Sequence, residues 1–209
     1  MVKLSRRDFI ELTGAGAAAY EMGIQDRASA VEQTGEQEPR MERKIEVRHV
    51  SLVINADFEH FTQTLEQSLG RVESFLFEGI DTDPRSVEER IKKAAGEDGL
   101  MLFNVQDHGR LLNIFGSPKK AKQYVLGNPL IAASMTRHDI RAGLYAPLRM
   151  LIYEADDQST QIEFDQPSSL FDQFDNQDIA LVARSLDTKL LNLIRKVELV
   201  VKKSRANQG

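Results

Sequence analysis

Asp107-His108 is the pair in this sequence whose residue types could move a proton. A histidine titrates at about pH 6.5, so it can act as a base, an acid or a metal ligand. With Asp107 fixing its tautomer, His108 would serve general acid–base chemistry on a small molecule. Plainer roles are open to both: His108 can cap a helix or pack at a sheet edge, and Asp107 is a good helix N-cap. Asn128, in Gly127-Asn128-Pro129, is the third candidate, able to bond nearby backbone or to face a cleft. That tripeptide has its own backbone logic. Gly127 is free to take a positive φ at a strand end, Pro129 fixes its own φ, and the residue before a proline is pushed out of the helical region. A cleft at strand ends beside Asp107, His108 and Asn128 is the expected ligand site.

Much other chemistry is excluded. The chain has no cysteine, which removes thiol catalysis, iron–sulfur clusters and cysteine-ligated zinc. His49, His60, His108 and His138 are widely spaced and make no H-x-x-x-H or H-E-x-x-H pair, so no metal site is expected. No dinucleotide fingerprint, Walker loop or nucleophile elbow is present, and the residues name no cofactor. With 27 Lys+Arg against 32 Asp+Glu, the net charge is -5. That balance argues against nucleic acid or an anionic membrane as a general partner. No stretch approaches the roughly 18 apolar residues of a transmembrane helix. Two classes remain: a ligand-binding or protein-interaction module, and an acid–base enzyme built on His108 and Asp107.

The N-terminus carries Ser5-Arg6-Arg7-Asp8-Phe9-Ile10, then a run of small residues from Leu12 to Ala19. It resembles a twin-arginine translocation signal, with Arg6 and Arg7 as the paired arginines. Ala28-Ser29-Ala30 supplies a cleavage site, which makes Val31 the first residue of the mature chain. The resemblance implies export to the periplasm or beyond, with the twin-arginine machinery as a partner. The lack of cysteines agrees, because such substrates fold before export. Residues 31–43 are polar and charged and read as a flexible linker.

The elements that must position the candidates follow. Ile45 to Ile54 is rich in β-branched residues and predicts a strand whose alternation changes phase near Val50. Asp57 offers an N-cap for a helix through Phe58, Phe61, Leu65 and Leu69 that Gly70 stops. A second helix starts at Asp83-Pro84 or at the capping box beginning with Ser86, and ends at Gly96. The continuous apolar run 100–103 suits a central strand, a short helix passes through Leu111 and Leu112, and 123–126 is another strand. Residues 147–154 and 160–165 form a hairpin across a polar turn. From Gln177 to about Lys203, Ile179, Val182, Leu186, Leu190, Leu193, Val197 and Val200 recur at spacings of three and four. Such a stripe lies across a sheet or forms a homodimer seam. The class is α+β: a two-layer sandwich with a mostly antiparallel or mixed sheet covered by helices. The domain spans 44–173, and a long helix with a polar tail fills 174–209.

An ordered series now stands out. A strand ends in Gly127-Asn128-Pro129 and a helical patch runs from Leu130 to Met135. Pro147-Leu148-Arg149 opens a strand ending at Glu154, and Asp165-Gln166-Pro167 closes the hairpin, with Asp107-His108 upstream. The series resembles the domain of unknown function 302 family over residues 45–173, most strongly from 107 to 167. The resemblance implies a compact two-layer α/β fold and no defined activity. The chain departs from the family pattern by inserting Gly116-Ser117-Pro118-Lys119-Lys120 and by adding the long C-terminal helix.

Overall fold

A computed structural model describes residues 41–206. Arg6, Arg7, Ala28 and Ala30 of the signal and most of the linker lie outside the described residues.

A compact unit begins at Ile45. The β-branched run pairs only from His49 to Ile54, strand β1, with Val50, Leu52 and Ile54 on the core. The change of phase at Val50 thus marks where the strand begins, not a bulge within it. Helix α1 (Phe58–Ser68) is capped by Asp57, whose carboxylate accepts from His60 N at 3.1 Å. Gly70 stops it and opens the two-residue strand β2 (Gly70–Arg71). Only glycine fits there, since a Cβ would stand 1.9 Å from Ala94 O. Helix α2 (Pro84–Ala94) uses Asp83 as its cap, through Ser86 N at 3.1 Å, with Pro84 in its first turn.

Strand β3 (Met101–Asp107), helix α3 (His108–Leu111), strand β4 (Ala121–Gly127) and helix α4 (Pro129–Thr136) come next. Strands β5 (Leu148–Glu154) and β6 (Thr160–Asp165) make the hairpin, and helices α5 (Pro167–Phe171) and α6 (Gln177–Ala206) close the chain. Strands β3 to β6 form an antiparallel meander. β1 joins it antiparallel to β6, and β2 lies parallel to β3. The sheet order is β1-β6-β5-β4-β3-β2, so α1 carries the chain from one edge of the sheet to the other. The class is α+β with a mixed sheet, as the sequence implies.

The main core lies on one sheet face. Tyr124, Leu126, Met150, Ile152 and Ile162 meet Phe61 and Leu65 of α1 and Ile179, Val182, Leu186, Leu190, Leu193 and Val197 of α6; the stripe ends on Val201, at 3% exposed, and not on Val200, at 50%. Within that stripe Leu190 is 2% and Leu193 0% exposed. The homodimer seam expected through these residues is therefore corrected: all of the stripe but Val200 is packed in its own domain. Polar ties are few. Tyr124 donates its phenol to Glu66 Oε1 at 2.9 Å, and burial followed by the Glu66 charge pushes its pKa well up. Thr160 Oγ1 donates to Ala56 O at 2.7 Å.

Met101 and Leu102 point to opposite faces. Leu102 enters the main core, while Met101 joins Leu76, Val87 and Ile91 in a second cluster under α2. This double burial explains the continuous apolar run. On the open face His49 Nδ1 lies 3.0 Å from Asp165 and Nε2 3.3 Å from Glu163. Those bonds, Asp165 first, raise its pKa above the usual histidine range. Glu163 also accepts from Tyr153 at 2.9 Å. Among the described residues no helix is long and apolar enough to cross a membrane.

Because Leu193 is fully enclosed, Leu193→Ala is expected to cost about 2–5 kcal/mol in urea unfolding. Leu193→Lys is expected to unfold the chain instead of dissociating a dimer, as circular dichroism would register.

Candidate functional site: an apolar socket at a strand end

Antiparallel pairing of β3 with β4 sets Met101 opposite Gly127 and Asp107 opposite Lys122. Asp107-His108 and Asn128 therefore sit at opposite ends of the sheet, about 20 Å apart at roughly 3.3 Å per residue. The single cleft expected from the sequence does not form.

Asp107 is the N-cap of α3, its Oδ1 accepting from Arg110 N at 2.7 Å. His108 is exposed at the first position of α3, and its side chain makes no hydrogen bond to Asp107 or to any other described residue. The bond between base and orienting carboxylate that acid–base catalysis needs is not made. His108 instead borders a groove between α3 and strands β4 and β5.

Asn128 is the N-cap of α4, with Oδ1 accepting from Leu130 N at 2.8 Å and Ile131 N at 3.4 Å. Its Nδ2 donates to Gly99 O at 2.7 Å. Gly99 belongs to the tight turn Glu97–Gly99 ahead of β3. Two lysines of α6 hold the same turn. Lys189 Nζ reaches Asp98 O at 2.5 Å, and Lys196 Nζ reaches Glu97 at 2.8 Å and Asp98 at 3.2 Å. One amide thus fastens α4 to a turn that is itself fastened to α6.

Gly127 departs from expectation. The glycines with positive φ are Gly79, Gly99 and Gly116, so Gly127 contributes space, not an unusual backbone. A Cβ there would lie 3.6 Å from Pro147 Cβ and 3.8 Å from Phe103 Cε2. The space belongs to a socket of about 120 Å³ walled by Phe103, Ile131, Met135, Pro147, Leu148 and Leu186. Pro147 follows Ala146 through a cis peptide bond. No lining side chain is ionisable. The lining's one polar side chain is Asn128, whose oxygen and nitrogen are both already bonded. The socket can hold an apolar group, and it offers nothing that would move a proton. Its walls come from β3, α4, β5 and α6; apart from the Gly-Asn-Pro, helical-patch and Pro-Leu-Arg segments, no local pattern announces them. Among the described residues no group of three or more His, Asp or Glu could hold a metal ion.

The fold is thus a helix-backed mixed sheet with an apolar socket at one strand end. The family model for the Domain of unknown function DUF302 matches residues 79–197, more than half of this 209-residue chain, and the chain belongs to that family. The matched segment runs to Val197, so most of α6 is family structure; the helix is not an addition. Among solved structures, the crystal structure of an uncharacterized conserved protein DUF302 from Bacillus stearothermophilus is similar, with a TM-score of 0.51 and 13% identity. The likeness covers 71% of this chain and 97% of that one, and concerns the fold. Comparison with curated proteins gives no significant match.

Asn128→Ala removes a cap and a tie to Gly99 together, and is expected to cost about 1–3 kcal/mol in urea unfolding. Asn128→Asp keeps the acceptor and loses the donor. It is expected to be destabilised at neutral pH and to recover part of the loss in acid, where a protonated carboxyl donates to Gly99 O again.

Proposed function

We propose that this protein is a binding module whose socket at Gly127-Asn128-Pro129 receives one small apolar group, free or carried by a larger ligand. The observation that carries this reading is the lining: apolar walls around about 120 Å³ and a single amide whose oxygen and nitrogen are both already bonded to backbone. Drug-sized pockets usually exceed about 300 Å³, whereas a dry apolar cavity of about 150 Å³ takes up benzene. In volume and lining the socket is nearer the second, though it opens to the surface. Benzene is therefore the probe, followed by proton–nitrogen correlation spectra of the full chain. Shifts should be confined to residues around Gly127, Met135 and Pro147. Gly127→Ala places a methyl in the socket at ordinary contact distances. It should leave stability equal or raise it by about 0.4–1 kcal/mol while weakening benzene several-fold. No shifts, or shifts unchanged in the variant, would rule the socket out.

The export reading is part of the same proposal, supported by Arg6-Arg7, the small-residue run and Ala28-Ser29-Ala30. A mass corresponding to a chain beginning at Val31, from the exported fraction of the native host, is the expected result. A chain that keeps Met1 and remains in the cytoplasm would end it.

A further inference from the structure

Strand β3 carries one residue more than its partner pairs with. Leu102 stands opposite Leu126 and Asn104 opposite Val125, so Phe103 has no partner on β4. It is the extra residue of a β-bulge, a device that re-aims side chains beside binding sites. The bulge also sets the faces beyond it. In an unbroken ladder Asn104 would stand opposite Tyr124, on the core face, and Val105 would point away from it. With the bulge, Val105 takes the place opposite Tyr124 and packs on the core, while Asn104 is exposed.

The core makes no use of Phe103 itself. The side chain is half-buried, yet it packs in neither the main cluster nor the one under α2. Its ring walls the socket instead, with Cε2 3.8 Å from where a Cβ on Gly127 would stand. Met135, Leu148 and Leu186 also wall the socket, and all three are buried members of the main core. The socket is therefore the gap between a finished core and one added aromatic ring. Close-packed walls cannot retreat without cost, and Gly127 has no side chain to withdraw. Phe103 is the wall whose size is free to vary, because no core cluster depends on it.

We propose that Phe103 is the specificity-determining residue of the socket. Its ring sets the size limit: a group as large as one benzene ring is admitted, and a ring with substituents at both ends is not. The inference rests on the socket reading given above and adds to it the class of apolar group selected and the residue that selects it.

Benzene and p-xylene, titrated separately into the full chain and followed by proton–nitrogen correlation spectra, test it. The wild type should bind benzene about tenfold more tightly than p-xylene, since the larger ring overfills the space. Phe103→Ala should reverse the order by about tenfold, through the two methyl groups it then buries. Phe103→Leu should fall between the two. Circular dichroism of both variants should match the wild type; should Phe103→Ala fail to fold, Phe103→Leu carries the same comparison. Variants that bind benzene and keep the wild-type preference would overturn this inference alone, because the ring would then be only a cover for Gly127. A wild type that binds p-xylene as well as benzene would do the same. A wild type that shifts with neither compound would remove the socket and the size limit together.

Discussion

The burial of α6 against one sheet face is the constraint on which the remaining structure depends. Tyr124, Leu126, Met150, Ile152 and Ile162 present a continuous apolar surface, and α1 alone is too short to cover it. The buried part of α6, from Ile179 to Val201, is about 33 Å long at roughly 1.5 Å per residue. Its position is set at several points. The Glu97–Gly99 turn is held by Lys189 and Lys196, and Asp187 accepts from Ser168 N at 2.9 Å and Gln166 Nε2 at 2.7 Å. Since Leu186 of the same helix walls the socket, the core and the candidate site share one support.

Local signals carried much of the fold. Asp57 and Asp83 cap the helices where their positions indicated, and the 147–165 hairpin closes on its polar turn. The α6 stripe is a true apolar face, but periodicity cannot say what lies opposite it. A sheet and a second helix demand the same spacing of residues. β2 was illegible because two residues have no period, and its parallel pairing with β3 is decided by Gly70 passing close under Ala94. The run 100–103 suggested a central strand. β3 is instead next to the edge, and α2 supplies the second covered face.

The site was legible in part. Asn128 and Asp107 were correctly marked as residues with local backbone work, because caps and X-Pro geometry are properties of neighbours in sequence. Their separation was not legible. It depends on β3 and β4 being antiparallel partners, which puts the end of one strand beside the start of the other. Phe103, Met135, Pro147 and Leu186 were missed for a related reason: an apolar wall residue has no chemical signature until the fold assembles it. Gly127 was marked for its backbone freedom, yet what matters is the volume left by its missing side chain.

The order of the strands has a consequence for the birth of the molecule. β1 leaves the ribosome first, but its partner is β6; His49 and Asp165 are 116 residues apart. At about 5–20 residues per second, a nascent β1 waits roughly 6–23 s for the strand it must join. During that interval the sequence His-Val-Ser-Leu-Val-Ile is an unsatisfied edge, open to other chains. Contacts so distant along the chain also slow folding itself. The N-terminal strand, not the socket, is thus where a chaperone would have most to protect.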